Sequence, residues 1–467
     1  MKRRDALRSM GTIGAAALLP ASGSAIAAGH KGKPISERIA LGNTHFLSKT
    51  NPIATADQRA IEATALEMMQ LPIIRDAREQ AAYRFKTLAG AEATAEAMRG
   101  FDERMEEWTF HYVQLALVSD PNYPRILGSD YGPPHEWFGM KVPGCRGPGT
   151  GENADNNYSV TSIDPNARYE LYGQRQSPAI GDSPLHLVTC LSMGMNAASF
   201  DSRDIKYKSD GSFVVTIDNT PAKGRANHIQ STIDTRYLFI RDGRVDWKQT
   251  PNAYRIHRID PPAAPPLTKE QYAALAARFI VDDVAMNYFF TKMVRALPVN
   301  TVALPARSNL FGGQPLQKLA RGHLKLDDDE AFVLTITPGG SHYHVLMLYD
   351  FWLMSGNFWS RTSSMNATQS AMNADGTYTY VFSITDPGVH NWIDVLDLHE
   401  PTFLIRFQLL PRNADGSYGG TTTTSSQLVK LKDLASVLPK ETRWVTADER
   451  RQQLDARLAA FKRRYEV

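Results

Sequence analysis

Cysteine is scarce in this sequence: its 467 residues include only Cys145 and Cys190. Neither belongs to a C-x-x-C pair or has paired histidines nearby, so the spacing excludes the usual zinc-binding patterns. In an oxidising compartment the two thiols are able to form a disulfide, and otherwise they would be two buried free thiols. The sequence leaves both alternatives open.

Long hydrophobic runs are also missing, because no stretch approaches the roughly 20 apolar residues that a membrane-spanning helix needs. The apolar run at 11–20 is short and contains Gly and Ala. It lies between a basic start with Arg3, Arg4 and Arg8 and the small-x-small pattern Ala25-Ile26-Ala27. This order is typical of a signal peptide and resembles a twin-arginine export signal. We therefore expect cleavage after residue 27 and a soluble, periplasmic mature chain.

The chain carries little excess of either charge: 52 basic residues face 49 acidic ones, for a net charge of +3. Residues 1–27 hold four of the basic residues and one acidic residue, so the mature chain is close to neutral. This balance argues against a broad basic surface for nucleic acid. We expect a small molecule as the partner, with no nucleic acid and no membrane span, and we leave a homo-oligomer open.

Several common catalytic motifs are absent from the sequence. There is no G-x-S-x-G elbow, no phosphate-binding glycine loop, no dinucleotide fingerprint and no H-E-x-x-H. These absences disfavour a common serine hydrolase, a kinase, a nicotinamide dehydrogenase and a zincin. We expect no organic cofactor, and a divalent metal is the one cofactor left open.

Periodicity and turn residues divide the chain into six segments. Thr55, Thr268 and Thr446 each precede an apolar pattern of helical spacing, as N-caps do. Short alternating runs between Gly, Asn, Asp and Pro predict strands. The segments are a signal peptide (1–27), a helical region (28–119), a first β-sandwich module (120–262), a linker and helix (263–304), a second β-sandwich module (305–412), and a mobile loop followed by a helix (413–467).

An internal repeat links the two β modules. In each, an Asp-Gly turn is followed by a strand, an Asn-x-Ile triplet and a strand that ends in Ile-Arg. The sequence therefore predicts an α+β fold with two duplicated antiparallel β-sandwich modules, an N-terminal helical region, a linking helix and a C-terminal helix. The matching elements are Asp210-Gly211 with Asp375-Gly376, Asn227-His228-Ile229 with Asn391-Trp392-Ile393, and Ile240-Arg241 with Ile405-Arg406.

The second module resembles the DUF1214 family of bacterial proteins of unknown function. The most specific string is Asp386-Pro387-Gly388-Val389-His390-Asn391-Trp392-Ile393-Asp394, and residues 349–352, 364–369, 399–400 and 404–408 support it. The stretch 155–169 resembles the one that precedes this domain in longer members. The resemblance implies a jelly-roll-like β architecture with helical additions, and it carries no established reaction. His228 replaces the tryptophan in module one.

The same string supplies the candidates for chemistry. His390, His399 and Asp394 are titratable groups suited to acid or base catalysis near neutral pH. Arg406 is expected to pair with Asp394 or Glu400, or to clamp a substrate. The alternative is structural, with a turn at Asp-Pro-Gly and tryptophan in the core. The predicted substrate-binding residues are Asn391, Trp392, Arg406, Tyr349 and Trp352.

His342 and His344 are weak candidates for metal ligands. Two residues apart on a strand share one face, and a third ligand from elsewhere would be needed. The alternative is two polar residues on a solvated strand face.

Two functional hypotheses follow from the sequence. The first is a periplasmic lyase, isomerase or hydrolase that uses His and carboxylate chemistry on a small aromatic, terpenoid or sugar-like ring. The second is a non-catalytic ligand-binding or assembly protein of the cell envelope.

Overall fold

The structure, a computed structural model, describes residues 45–48, 50–129, 132–176, 184–189, 195–307 and 316–466. The predicted signal peptide and Cys190 lie outside these ranges, so the export signal remains a prediction and the choice between a disulfide and two free thiols remains open. Cys145 is buried. Each helix in the described ranges is too short or too polar to cross a bilayer.

Helices lie before the first module, between the modules and after the second. Threonine side chains cap α1, α4 and α7 as predicted, and the caps of α4 and α7 are complete capping boxes. The helices of the described ranges are α1 (Ala56–Met68), α2 (Pro72–Ala89), α3 (Phe101–Leu117), α4 (Lys269–Asp282), α5 (Val284–Arg295), α6 (Leu434–Val437) and α7 (Ala447–Lys462).

The linking segment differs from the prediction of one long helix. Asp283 ends α4 and begins α5, so the segment forms two helices. Helix α4 packs against α2 and α3. Trp108 of α3 is fully buried and donates from Nε1 to the carbonyl of Ile280 at 3.0 Å. The helical region therefore forms one core with the linking helices.

Module one consists of a five-stranded and a four-stranded sheet, with orders β1-β4-β10-β6-β7 and β11-β5-β8-β9, beside the separate hairpin β2-β3. Its strands are β1 (Leu127–Ser129), β2 (His135–Trp137), β3 (Met140–Val142), β4 (Asn156–Ser162), β5 (Tyr169–Gln174), β6 (Leu185–Val188), β7 (Asn196–Phe200), β8 (Ser212–Asp218), β9 (His228–Gln230), β10 (Tyr237–Gly243) and β11 (Ala253–Arg258).

Module two repeats this plan with sheet orders β12-β13-β19-β15-β16 and β18-β17-β14-β20. Its strands are β12 (Thr301–Val302), β13 (Lys318–His323), β14 (Glu330–Thr337), β15 (Tyr343–Tyr349), β16 (Ser364–Asn366), β17 (Tyr378–Ser383), β18 (Trp392–Asp394), β19 (Thr402–Gln408) and β20 (Thr423–Lys430).

The two modules have the same strand connectivity. The edge pair β8–β9 is parallel in module one, and the corresponding pair β17–β18 is parallel in module two. The predicted Asp-Gly turns precede β8 and β17. In both turns glycine has positive φ (80° at Gly211 and 83° at Gly376), which favours a residue without Cβ. The prediction of an α+β fold with duplicated β modules is confirmed.

One detail of the C-terminal third was predicted wrongly. Residues 423–430 form β20, which pairs with β14, whereas the sequence predicted a mobile loop over residues 413–427. Thr and Ser suit an exposed edge strand as well as a loop. Composition alone therefore did not distinguish the strand from a loop. On α7, which follows the predicted cap Thr446, Phe461 is buried and Leu454 and Leu458 are half-buried.

Candidate functional site

The three predicted catalytic residues do not converge. His390 is half-buried and donates from Nε2 to the carbonyl of Gln369 at 3.2 Å. Burial, together with Arg443, lowers the pKa of His390. It lines a small crevice beside α6, of about 20 Å³.

His399 lies in different surroundings from His390. Its side chain is 53% exposed and donates from Nδ1 to Glu96 at 3.0 Å and from Nε2 to Asp328 at 3.2 Å. Two carboxylate acceptors require both ring nitrogens to be protonated. The hydrogen bond to Glu96 is the main reason that the pKa of His399 is raised. His399 is therefore part of a surface ion cluster.

Asp394 pairs with Arg361, whose Nε and Nη2 both lie 2.6 Å from its carboxylate oxygens. Burial raises the pKa of Asp394, and the bonds from Arg361 oppose that shift. The predicted pairing of Arg406 with Asp394 or Glu400 is therefore wrong. Glu400 pairs instead with Arg295 at 2.8 Å.

Asn391 joins chain segments through its amide. Its Oδ1 accepts from the backbone N–H of Ala371 at 2.7 Å, and its Nδ2 donates to the Ala371 carbonyl at 2.7 Å. In module one, Asn227 makes the same two bonds to Lys206, at 2.7 and 2.9 Å. The Asn391 amide, which was predicted to bind a substrate, therefore clamps the backbone, and Asn227 does the same in module one.

Trp392, like Asn391, bonds to the backbone. Its Nε1 donates to the carbonyl of Ser383 at 3.2 Å, and Arg450 lies over its ring at 5.2 Å. At the equivalent place His228 donates from Nε2 to the carbonyl of Thr220 at 2.8 Å. A ring N–H bonded to a carbonyl is therefore retained although the ring differs.

Tyr349 and Arg406 are the predicted substrate-binding residues that the structure brings together. Arg406 donates to the Tyr349 hydroxyl at 2.9 Å and to the carbonyl of Gly151. Tyr349 in turn donates to the carbonyl of Glu152 at 2.5 Å. All four groups are buried. Trp352 lies elsewhere, fully buried in the helical core, where its Nε1 donates to the Ala97 carbonyl at 2.6 Å.

The two weak metal candidates do not share a face. His342 precedes β15 and is exposed, whereas His344 is buried and its Nε2 lies 2.8 Å from the Tyr380 hydroxyl. Burial lowers the pKa of His344 to about 3. Side chains alternate between the two faces of a strand only within the strand, and His342 lies before β15 begins at Tyr343. The expectation that the two histidines share a pocket is therefore wrong. No group of three His, Cys, Asp or Glu side chains suited to a metal occurs among the described residues.

A buried polar network joins the modules at Asp155. Its carboxylate accepts from Trp247 Nε1 at 2.5 Å, from Asn366 Nδ2 at 3.1 Å and from the Tyr343 hydroxyl. Burial raises the pKa of Asp155, and the hydrogen bond from Trp247 opposes that shift most. Residues from both modules thus meet at one carboxylate.

Helix α7 and the short 3-10 turn Arg463–Tyr465 that follows it bring positive charge to this network. Arg450, Arg457 and Arg464 follow each other at seven-residue spacing, and all three are buried. Arg457 lies over the Trp247 ring at 4.3 Å, and Arg464 donates to the carbonyl of Ala154. The face of α7 that meets the modules is therefore lined by arginine as well as by apolar side chains.

A second group of polar residues surrounds a small cavity between the helical region, hairpin β2–β3 and the end of α7. The cavity volume is about 20 Å³, which is room for about one water molecule. Its walls combine a carboxylate, an amide, an imidazole and a thiol with aromatic rings. The lining residues are Ile53, Glu62, Phe110, Gln114, Gly128, His135, Trp137, Val142, Pro143, Cys145, Arg464 and Tyr465.

Glu62 is fixed by two donors. Its Oε2 accepts from Trp137 Nε1 at 2.5 Å and its Oε1 accepts from Gln58 Nε2 at 2.8 Å. Gln58 also accepts from the backbone N–H of Gly128 at 2.8 Å. Helix α1 presents Gln58 and Glu62 together because residues four apart share a face. Glu62 therefore sets the position of the Trp137 ring in the cavity wall.

The tautomer of His135 is set by a backbone carbonyl. Nδ1 lies 2.9 Å from the carbonyl oxygen of Pro133, and this oxygen only accepts, so Nδ1 carries the proton. The lone pair of the neutral ring is then on Nε2. The His135 ring stacks on Tyr465, with centroids 3.8 Å apart and planes at 17°.

Gln114 adds a buried acceptor to the cavity. It is 2% exposed, and its Oε1 has no hydrogen-bond partner in the described parts of the chain. An unsatisfied buried carbonyl costs about 1–3 kcal/mol, so a donor at this place would relieve it. Arg464, in the same wall, connects the cavity to the Asp155 network through Ala154.

Sequence reasoning missed this cavity because its residues come from distant segments and form no motif. Glu62, Gln114, His135 and Arg464 lie on different elements, and the fold alone brings them together. One signal was available: buried arginines repeat every seven residues along α7 and the turn after it, and the last of them, Arg464, lines the cavity.

Comparison with known proteins supports the fold. A scan against protein-family models and a search of curated proteins gave no match. Among solved structures, an uncharacterized protein from Burkholderia cenocepacia aligns with a TM-score of 0.64 and 20% identity, over 79% of this chain and 99% of that one. The VPA0106 protein from Vibrio parahaemolyticus aligns at 13% identity with a TM-score of 0.37, over 70% and 99%. The first likeness shows the fold alone, and the second carries no argument.

Proposed function

We propose that this protein is a periplasmic enzyme that transfers protons to or from a small ring-containing substrate, as a lyase, isomerase or hydrolase. We place its site at the cavity around His135, rather than at His390 and His399. The proposed relation to DUF1214 proteins would extend this site to chains that share both modules. No organic cofactor is required for such a reaction.

One observation carries the proposal: an imidazole of defined tautomer, a buried carboxylate and a buried amide acceptor line the same cavity. Acid–base catalysis needs a group with a pKa near neutrality, held within reach of the substrate. The predicted residues lack this arrangement, because His390 and His399 bind different partners in different surroundings.

His135 is the proposed base. Pro133 holds the Nδ1 proton, so Nε2 is the nitrogen that accepts a proton from the substrate and later returns it. Protonation makes Nδ1–H a stronger donor to the same carbonyl, and that bond then stabilises the imidazolium. The acceptor on Gln114 would orient a hydroxyl or amine of the substrate, and the aromatic walls favour a ring.

The experiment uses the whole protein in D2O with a panel of aromatic, terpenoid and sugar-like compounds. NMR and mass spectrometry follow conversion or deuterium uptake into carbon-bound positions. The variant His135→Asn keeps a donor for the Pro133 carbonyl and removes the base at Nε2. We expect turnover to fall by about 10²–10⁴-fold in this variant.

His390→Asn and His399→Asn are the matched controls, and we expect both to keep wild-type turnover. Equal turnover in His135→Asn and wild type would refute the proposed site. A panel in which no compound is converted, although some bind, would favour the second candidate, a ligand-binding protein.

A further inference from the structure

Strand β20 leaves one edge of a sheet in module two unpaired. It is the last strand in the order β18-β17-β14-β20 and pairs with β14 along all eight of its residues, without a bulge. In an antiparallel ladder, alternate residues turn their backbone N–H and C=O away from the neighbouring strand. Within the described ranges, no residue outside β14 hydrogen-bonds the backbone of Thr423–Lys430. The edge therefore offers a row of backbone donors and acceptors.

The length of this edge distinguishes it from the others in the molecule. Edge strands are usually protected against pairing with another chain, because they are short or carry charged residues, proline or bulges. In the described parts of the four large sheets, the other edge strands have two to six residues, whereas β20 has eight. Shortness therefore does not protect β20.

Module one protects the equivalent edge with charge. Strand β11 holds the place of β20, and counting from the two Asp-Gly turns through the strand registers aligns Arg255 with Ser425 and His257 with Gln427. In β20, residues 423–429 include no charged residue, proline or glycine. The protection that module one carries is therefore missing from module two.

Exposed apolar side chains lie beside the same edge. Strand β12 lies against β20. Val299 and Leu304, two residues before and two residues after β12, are 45% and 78% exposed, and Leu428 of β20 is 38% exposed. Apolar side chains grouped at the surface in this way are typical of an interaction site.

We infer that β20 pairs with β20 of a second copy of this chain, antiparallel and about a two-fold axis, so that two four-stranded sheets become one continuous sheet. In such a pair the same row of N–H and C=O groups meets itself in the opposite direction, so each edge is the complement of the other. Val299 and Leu304 add apolar contacts beside the paired strands.

The side chains of β20 suit a second copy as the partner. Ser425 and Ser426, at the middle of the strand, are small, so two backbones can approach each other closely there. Lys430, the one charged residue of β20, is neutralised within its own chain, at 2.8 Å from Asp329 and 3.2 Å from Glu330. Antiparallel pairing therefore brings no unpaired like charges together.

The test measures the mass of the whole protein by light scattering after size exclusion. Specific interfaces of standard size have Kd values from micromolar downwards, so wild type at about 100 µM should be a dimer. The double variant Ser425→Arg/Gln427→Arg should show half of the wild-type mass. Directly opposite residues lie on one face of the sheet, so an axis at Ser425, Ser426 or Gln427 sets introduced arginines against each other, which destabilises the pair.

The matched control, Ser209→Arg/Gln452→Arg, adds the same charge at exposed positions away from β20 and should stay dimeric. A monomeric wild type would overturn the inference and would leave the edge to a strand of another protein. A double variant that keeps the wild-type mass would overturn it too.

Hydrogen exchange tests the same pairing without a substitution, which guards against a folding defect in the double variant. The outward amides of β20 are hydrogen-bonded in the dimer, so they should exchange faster when wild type is diluted until it dissociates. Amides of β11 should exchange at the same rate in both states. A dimer that leaves the exchange of β20 unchanged would place the contact elsewhere and overturn the inference. Both readouts are independent of turnover in His135→Asn.

Discussion

Asn391 and Asn227 hold equivalent positions in the two modules, and each amide bonds both the backbone N–H and the carbonyl of one residue, Ala371 and Lys206 respectively. Both asparagines directly precede a short edge strand that runs parallel to its neighbour. At the same place in both modules, an asparagine side chain therefore makes the two backbone hydrogen bonds that a neighbouring strand would otherwise make.

Asn391→Ala is expected to lower the free energy of unfolding by about 1–3 kcal/mol, because it removes the partner of the backbone N–H and carbonyl of half-buried Ala371. Asn227→Ala should cost a similar amount. Denaturant unfolding measures both values. Asn166→Ala, at an exposed position, is the control and should lie within about 0.5 kcal/mol of wild type. A neutral Asn391→Ala would show that the clamp is not needed for stability.

His399 should make stability depend on pH. Its pKa is raised in the folded protein, chiefly by Glu96, so the ion cluster contributes its full stability below the unfolded pKa of about 6.5. That contribution is lost as the pH rises through the folded pKa. We therefore expect His399→Gln to be less stable than wild type near pH 5.5 and equal to it near pH 9.

Thermal unfolding of both proteins across this pH range measures the difference. Because the imidazole is exposed and screened by solvent, the effect should be small and should shrink in high salt. A difference that grows with pH would contradict the assignment.

Asp155→Asn should be strongly destabilising. The carboxylate lies beside the buried guanidinium groups of Arg457 and Arg464, and an asparagine in its place would no longer offer them a negative charge. Breaking a buried charge arrangement in this way typically costs about 3–5 kcal/mol. Tyr343→Phe removes one donor to the same carboxylate and should cost less. Denaturant unfolding ranks the two variants, and the opposite order would contradict the central place of Asp155.

The duplicated fold could be predicted because each module repeats local signals in the same order. The turn residues Asp210-Gly211 and Asp375-Gly376 need glycine for a positive φ, and the alternating runs after them fit strands. These signals depend on neighbours in the chain, so a single sequence contains them. The strand at 423–430 was missed, because its Thr and Ser residues pack on no core and resemble a loop in composition.

The site could not be predicted in the same way. A dense polar and aromatic string is formed by His390, Asn391 and Trp392. In the structure, however, the amide of Asn391 and the ring N–H of Trp392 make hydrogen bonds to backbone groups. The cavity residues Glu62 and His135 are 73 positions apart in the sequence and meet only through packing of α1 against the β2–β3 hairpin. Tertiary contact, and not local pattern, decides which polar residues share a cavity.

Turnover of His135→Asn and His390→Asn, on the first compound that wild type converts, distinguishes the cavity around His135 from the second module as the catalytic site. We expect a loss of about 10²–10⁴-fold for His135→Asn and wild-type turnover for His390→Asn. Wild-type turnover in His135→Asn together with a large loss in His390→Asn would contradict this expectation and would return the site to the second module.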